Sequence, residues 1–337
     1  MQPKVLKIDT AKIDPALIME AARAIRDKKL VAFPTETVYG LGADALDPEA
    51  VTRIFEAKKR PLDDPLIVHI AERGTLSKLS GDIPPEADAL IDRFWPGPLT
   101  LVLKKTDAVP DIVTTGLDTV AVRMPSHPVA RELILTSGTP IAAPSANLFG
   151  RPSPTTARHV VDDLDGAIEM VLDSGKTQIG IESTVVEILP GAAAVLRPGG
   201  IDIEDIKKVI PKVRVYTREE ALEKSPGKYP QHYAPNARVI VVEDSDKQIE
   251  EAFSLASKHT LEGLRVGVMV KEEHAGAYEG FDIKVLGPGH DVKMCASELF
   301  HTLREFDKDN VDVIIAEGIP ETGIGLAVMN RLRKASG

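Results

Sequence analysis

Three adjacent cations, Lys58, Lys59 and Arg60, stand together in a chain that is otherwise acidic, with a formal net charge of -10. Arginine side chains bind phosphate through paired hydrogen bonds, and lysine ammonium groups bind it as point charges. Two further arginines, Arg123 in "TVAVR" and Arg197 in "LRPGG", lie at predicted strand ends. Residues 35–184 also contain hydroxyl-bearing turns, namely "TET", "PSAN", "RPSPTT" and "ST". These residue types indicate a pocket that could bind a polyphosphate.

The same residues also have purely structural explanations. Cations in the last turn of a helix complement its dipole, and Pro61 is a usual helix stop. A single hydroxyl in a turn is mostly a cap, and His69 fits a buried structural imidazole as well as a ligand contact. The prediction of a site therefore depends on several strand ends meeting at one crevice, as they do in open α/β sheets.

Strands and helices alternate along most of the chain. Asp-Pro pairs predict helices that begin at Pro15 and Pro48, and further helices are predicted at 84–94, 127–137, 155–164 and 202–210. Apolar runs predict strands at 30–34, 65–71, 98–104, 119–124, 141–144, 168–172, 183–189 and 193–197. Short connections between the later strands favour some antiparallel pairing, so we expect an α/β fold with a mixed sheet.

A length of 337 residues predicts about two domains. We assign 1–210 to the first α/β domain and 211–237, polar and rich in proline, to a linker. Residues 238–337 again alternate between apolar runs and helical segments, which predicts a smaller Rossmann-like, doubly wound C-terminal domain.

Composition narrows the class of protein. The chain is 43% hydrophobic and 27% charged, as ordinary globular proteins are, and it shows neither a signal-peptide core nor a membrane span. Its one cysteine, Cys295, excludes an internal disulfide and a cysteine metal cluster, so we expect a cytoplasmic protein. The acidic balance and the 4% aromatic content argue against a broad nucleic-acid surface.

Two short motifs suggest other phosphate sites and fail on spacing. "SGKT" at 174–177 resembles the end of a P-loop, but Met170 stands where the first glycine would be. "GLGADA" at 40–45 fits a dinucleotide fingerprint, but it is too far from both the preceding strand and the next helix. The sequence contains neither H-E-x-x-H nor G-x-S-x-G, so zinc hydrolysis and serine esterase chemistry have no support.

Six blocks in order, "FPTETVYGLGADA", "KKRP...PLIVHI", "TVAVRMP", "PSANLFGRPSPTT", "STVVEI" and "LRPGGI", resemble the YrdC-like domain of the L-threonylcarbamoyladenylate synthase family. The linker "SPGKYPQHYAP" and the domain after it resemble the family's two-domain form. The resemblance implies a twisted sheet around a large cavity. It also implies that L-threonine, bicarbonate and ATP, with Mg²⁺, give threonylcarbamoyladenylate and pyrophosphate. A downstream tRNA threonylcarbamoyl transferase would use this product to modify adenosine 37 of tRNAs that read codons beginning with A.

The resemblance also implies roles for individual residues. The catalytic lysine-x-arginine pair corresponds to Lys58 and Arg60. The threonine site would be lined by Thr37, His69, Arg123, Ala143 and Ser183. The ATP site would comprise Arg60, Asp64, Thr119, Ser145, Asn147, Ser153, Arg197 and Tyr233. Tyr233, in the linker, would belong to a lid over the cavity; the alternative is a structural connector.

One departure from the family pattern affects the ATP site. Asp64 stands where asparagine is common, and a carboxylate near a triphosphate is repulsive unless Mg²⁺ bridges the two. A non-catalytic module that binds double-stranded RNA or tRNA is the alternative function, although we expect tRNA contact to be indirect or weak. Carbamoyl transfer in hydrogenase maturation would require zinc-finger cysteines, which the sequence lacks.

Overall fold

The computed structural model describes residues 2–216 and 232–337 and divides the chain into two compact units. The first unit comprises Met1–Phe149, Ser153–Gln178 and Glu182–Lys228. The second comprises Gly150–Pro152, Ile179–Ile181 and Tyr229–Gly337. The predicted domain boundaries at 210 and 238 stay predictions, because residues 217–231 of the predicted linker lie outside the described part.

The first unit is built on one mixed sheet, which has eleven strands within the described residues. The strands are β1 Lys4–Lys7, β2 Val31–Phe33, β3 Gly40–Asp44, β4 Ile67–His69, β5 Leu99–Lys104, β6 Thr119–Arg123, β7 Ile141–Ala142, β8 Met170–Asp173, β9 Thr184–Leu189, β10 Ala192–Arg197 and β11 Val213–Val215. Their order across the sheet is β1-β8-β2-β3-β7-β4-β6-β5-β9-β10-β11. Parallel pairs such as β4–β6 alternate with antiparallel pairs such as β5–β6, as the short connections predicted.

Within the described residues, six helices of the first unit begin within two residues of the predicted position, and two helices of four residues each were not predicted. These helices are α1 Pro15–Arg26, α2 Pro48–Lys58, α3 Leu76–Leu79, α4 Pro85–Phe94, α5 Asp111–Thr114, α6 Pro128–Ser137, α7 Ala157–Leu164 and α8 Ile203–Val209. Asp14 and Asp47 cap α1 and α2 by accepting backbone hydrogen bonds, and a proline follows each of them. α2 ends at Lys58 because Lys59 adopts a left-handed conformation, with a φ of 52°.

The core of the first unit lies between the sheet and the pair of helices α1 and α6. Ile18 and Ile25 of α1 share one buried cluster with Leu133 of α6 and with Phe33 and Leu172 of the sheet. Burying an aliphatic side chain of this size stabilises the fold by about 1.5–3 kcal/mol. This packing fixes the strands from whose ends the candidate site residues project.

The second unit has a four-stranded parallel sheet in the order β12-β15-β13-β14 within the described residues. Its strands are β12 Arg238–Val242, β13 Val266–Lys271, β14 Asp282–Gly287 and β15 Val313–Glu317, and its helices are α9 Gln248–Leu261, α10 Val292–Lys308 and α11 Gly325–Ser336. α9 packs against β12, β13 and β15, whereas α10 packs against β14 and α11. The predicted α/β class is confirmed for both units.

Five of the strands and helices named above are absent from the sequence-based prediction, and three of them are β1, α3 and α5. β3 covers "GLGAD", the start of the motif that we rejected as a dinucleotide fingerprint, and β11 lies inside the predicted linker.

Among the helices of the described residues, none combines the length and the apolar character needed to cross a membrane.

Candidate active site

Arg123 is fixed by the register of three neighbouring strands. It is the last residue of β6, where it lies opposite His69 of β4 on one side and Thr100 of β5 on the other. Its side chain is buried, and its Nε donates a 3.3 Å hydrogen bond to the Gly97 carbonyl oxygen. The strand register therefore brings two predicted threonine-site residues, Arg123 and His69, to the same end of adjacent strands.

The turn after β2 brings Thr37 to the same arginine. Arg123 NH1 donates a 3.0 Å hydrogen bond to Thr37 Oγ1. Thr35 Oγ1 lies 2.7 Å from Thr37 Oγ1 and donates to the Val38 carbonyl oxygen at 2.7 Å, so the turn is closed by its own hydroxyls. Thr37 and Arg123, which are 86 residues apart in the chain, thus form one buried contact.

Glu36 is a site residue that the sequence analysis missed. Its side chain is 4% exposed, and Oε1 lies 2.7 Å from Arg123 NH2. A carboxylate in the otherwise hydroxyl-bearing "TET" turn was the available sequence signal. It was not used because a charged residue in a turn is ordinarily solvated.

His69 is an uncharged imidazole at neutral pH. Burial lowers the pKa of His69 to about 3, and the positive charge of Arg123 adds to the decrease. The ring Nδ1 lies 3.2 Å from the Ile67 carbonyl oxygen, and Phe33 packs edge-on at 6.2 Å between ring centroids. Beside these residues, Ala143, also predicted for the threonine site, is buried and donates its backbone N–H to the Ile67 carbonyl oxygen at 2.9 Å.

A second group of contacts joins Ser183 and Arg197. Arg197 NH2 donates hydrogen bonds to the Ser183 carbonyl oxygen at 3.1 Å and to Ser183 Oγ at 3.3 Å. Ser183 Oγ also lies 2.7 Å from Thr100 Oγ1, and Thr100 is the strand partner of Arg123. Thr100, another residue that sequence reasoning missed, therefore links the predicted threonine site to Arg197 on the predicted ATP side.

Lys58 connects the basic cluster to the "PSAN" turn. Its Nζ donates hydrogen bonds of 2.5 Å to the carbonyl oxygens of Ser145 and Asn147. The lysine side chain is buried, although it belongs to the last turn of α2, whereas Lys59 is exposed. The helix-dipole explanation thus suits Lys59, while Lys58 and the serine-x-asparagine pair form one structural group.

Arg60 points into the protein and meets Asp64. Its NH2 lies 2.9 Å from Asp64 Oδ2, and Nε donates to the Asp64 carbonyl oxygen at 3.0 Å. Both side chains are buried. The negative charge of Asp64, which the sequence analysis identified as a difficulty for phosphate binding, is thus paired within the protein by Arg60.

The remaining predicted ATP-site residues are Ser153, Thr119 and Tyr233. Ser153 Oγ donates a short hydrogen bond to Glu182 Oε1, next to Ser183 in the chain. Thr119 begins β6, four residues before Arg123, so about 13 Å of strand separates the two. Tyr233 belongs to the second unit, where its ring is buried, stacks on Phe300 at 5.4 Å and lies beneath Arg331. Its assignment to the ATP site stays a prediction.

The described residues contain no cluster of three or more histidine, cysteine or acidic side chains that could hold a metal ion. Mg²⁺ bound with ATP does not require such a cluster. It retains several water ligands, and substrate phosphate oxygens supply others, so one or two carboxylates of the protein are enough. Two acidic side chains at the site, Glu36 and Asp64, each lie against an arginine.

The fold and these buried side chains define an α/β protein with a candidate anion site at the strand ends of a mixed sheet, and comparisons with known proteins specify the family. A family model described as "Telomere recombination" matches residues 23–199, and one described as "Threonylcarbamoyl-AMP synthase, C-terminal domain" matches 201–337. The threonylcarbamoyl-AMP synthase of Pyrococcus abyssi is 53% identical over 97% of this chain and 96% of its own length. That of Bacillus subtilis is 49% identical over 95% and 93%. The chain belongs to the threonylcarbamoyl-AMP synthase family, whose members are ATP-dependent enzymes.

Solved structures agree with this assignment. The structure of Pyrococcus abyssi Sua5 complexed with L-threonine matches with a TM-score of 0.92 and 50% identity, over 99% of this chain and 97% of that one. Escherichia coli YciO matches 61% of this chain and 98% of its own with a TM-score of 0.53 and 23% identity, which shows a shared fold only. The predicted family resemblance is confirmed.

Proposed function

We propose that this chain makes L-threonylcarbamoyladenylate and pyrophosphate from L-threonine, bicarbonate and ATP. The observation that carries the proposal is the continuous set of contacts from Thr37 through Arg123 and Thr100 to Ser183 and Arg197. This set joins the two predicted substrate sites in a chain that is 53% identical to a synthase over nearly its whole length.

The contacts suggest how the reactants are positioned. Arg123 would bind the carboxylate of threonine, because a buried guanidinium favours a planar anion. Thr37 and the neutral His69 would orient the hydroxyl and amine of threonine by hydrogen bonds. The amine attacks the bicarbonate carbon with loss of water, and the resulting carbamate oxygen attacks the α-phosphorus of ATP, from which pyrophosphate departs.

Displacement at phosphorus is promoted by positioning and by neutralisation of charge. Arg60 and Arg197 would supply positive charge to the phosphates. Lys58 would act mainly by fixing the backbone of Ser145 and Asn147, to whose carbonyl oxygens it donates. We propose that Mg²⁺ enters bound to ATP as part of that substrate. The ion pairs of Glu36 and Asp64 with arginines support this role, because these two carboxylates are already paired within the protein.

A direct assay tests the proposed function. The purified chain is incubated with ATP, L-threonine, bicarbonate and Mg²⁺, and pyrophosphate release is measured. We expect release that requires both threonine and bicarbonate, and mass spectrometry should detect the mixed anhydride. Threonine-independent release, or none, would contradict the proposal. Tight, salt-sensitive RNA binding without pyrophosphate release would instead support the RNA-binding module.

The product requires a consumer, since a mixed anhydride hydrolyses in water. We propose that a separate tRNA threonylcarbamoyl transferase in the cytoplasm takes it to adenosine 37 of tRNA. Formation of the modified nucleoside when tRNA and such a transferase are added to the assay, and its absence when either is omitted, is the expected result.

A further inference from the structure

The carboxylate of Glu36 and the guanidinium of Arg123 lie together without satisfying each other's hydrogen bonds. Glu36 Oε1 is 2.7 Å from Arg123 NH2, but the contact lacks hydrogen-bond alignment. Within the described part of the chain, neither Glu36 oxygen receives a hydrogen bond, and Arg123 NH2 donates none. Both side chains are 4% exposed. Buried polar groups are nearly always hydrogen-bonded, so the pair lacks one acceptor and one donor.

The missing partners have the chemistry of an α-amino acid. Arg123 NH2 needs an acceptor, which a carboxylate supplies, and Glu36 needs a donor, which an ammonium group supplies. Bond lengths of 1.46 and 1.52 Å put the nitrogen and the carboxyl carbon of an amino acid about 2.5 Å apart. This separation is close to the 2.7 Å between Glu36 Oε1 and Arg123 NH2, so one zwitterion can contact both side chains.

Glu36 also lines a polar cavity of about 330 Å³. The other polar residues of its wall include Thr10, Ser126, His127, Ser174 and Lys176. Burial lowers the pKa of His127, so this imidazole supplies no positive charge to Glu36 at neutral pH.

We propose that Glu36 binds the α-ammonium group of the amino-acid substrate, beside Arg123 at the carboxylate, and so selects an amino acid over the corresponding hydroxy acid. This role rests on the proposed synthase function and deepens it. Glu36 is a specificity-determining residue for the amine that is converted to the carbamate.

The test compares two ligands that differ at one group. L-Threonine and 2,3-dihydroxybutyrate, which has a hydroxyl in place of the ammonium, are titrated into the full chain by calorimetry. We expect wild type to bind threonine about 10- to 100-fold more tightly, the range for a charge-assisted hydrogen bond. Glu36→Gln should lose most of this ratio by weakening threonine while changing the affinity for the hydroxy acid less than about threefold. Glu132→Gln, on the exposed face of α6, is the control and should keep the ratio.

Other results would overturn the proposal. Equal weakening of both ligands in Glu36→Gln indicates a structural role, and an unchanged ratio indicates that water alone satisfies the carboxylate. Should Glu36→Gln fail to fold, Glu36→Asp retains the charge, and a ratio near one in either wild type or Glu36→Asp contradicts the proposal. Failure of the synthase function is distinct, because wild type would then bind no threonine and release no threonine-dependent pyrophosphate.

Discussion

Arg60 and Asp64 form an ion pair inside the first unit, with Arg60 NH2 2.9 Å from Asp64 Oδ2 and the two side chains 5% and 0% exposed. Arg60 also donates to the carbonyl oxygens of Asp64 and Pro65 at 3.0 and 2.9 Å. The arginine of the lysine-x-arginine pair therefore fixes the loop that follows α2.

Arg60→Ala should reduce stability in addition to activity. Removing one partner leaves Asp64 as a buried carboxylate without its guanidinium, and breaking a buried ion pair in this way costs about 3–5 kcal/mol. We expect a clear decrease in the free energy of unfolding, measured by urea denaturation, and loss of pyrophosphate release. Arg73→Ala is the control, since Arg73 pairs with Asp88 and Asp92 at the surface and such pairs are worth about 1 kcal/mol or less. Equal stability of the two variants would show that the Arg60–Asp64 pair is not structurally important.

Lys58 and Lys59 are adjacent lysines that the structure distinguishes. Lys58→Met removes the hydrogen bonds to the Ser145 and Asn147 carbonyl oxygens while keeping most of the apolar side chain. We expect kcat for threonine-dependent pyrophosphate release to decrease by about 10²-fold, as for a displacement of positioned groups by about 1 Å. Lys59→Met, at an exposed position, should stay within about twofold of wild type, because it removes no buried hydrogen bond. Similar kinetics for the two variants would contradict the role assigned to Lys58.

The fold was predictable because periodicity and helix caps are local signals. The Asp-Pro pairs located α1 and α2, and the apolar runs located strands such as β5 and β6. β3 was missed because its sequence was weighed only as part of a dinucleotide fingerprint. Gly42 is required there by packing, since a Cβ at this position would lie 2.7 Å from the Phe33 ring. The short distance between Gly42 and the Phe33 ring arises from the pairing of β3 with β2. The sequence of β3 alone therefore does not predict it.

The site was predictable in its residue types and only partly in its contacts. Cations and hydroxyls at strand ends pointed to an anion site, and family resemblance assigned positions such as Arg123 and Ser183. The burial of Lys58, the pairing of Arg60 with Asp64 and the contact of Glu36 with Arg123 depend on tertiary structure. In the sequence, each of these charged residues is equally compatible with a solvated surface position.

Gly199 should be intolerant of even a small side chain. A Cβ on Gly199 would lie 2.4 Å from the Glu182 carbonyl oxygen and 2.4 Å from the Ser183 carbonyl carbon. Gly199→Ala must therefore move the "LRPGG" turn, in which Arg197 donates to Ser183. We expect a loss of about 1–3 kcal/mol of unfolding free energy, as for overpacking, together with a raised KM for ATP. Gly74→Ala, where no atom lies within 4 Å of the added Cβ, is the control and should be nearly neutral. Wild-type kinetics in Gly199→Ala would show that this turn does not contribute to ATP binding.

His69 should make the protein less stable in acid. Burial lowers its pKa to about 3, from an ordinary value of 6.5, so between these pH values the unfolded chain binds more protons than the folded one. The stability contributed by neutral His69 is complete above about pH 6.5 and declines as the pH falls toward 3, by at most about 1.4 kcal/mol per pH unit. His69→Gln, which cannot be protonated in this range, should show a shallower decline in unfolding free energy from pH 7.5 to 5, measured by urea denaturation. His290→Gln, at an exposed imidazole, should keep the wild-type slope. An NMR titration of the wild-type ring provides a direct check, and a protonated His69 at pH 5 in the folded protein would contradict both the assigned charge state and its cause.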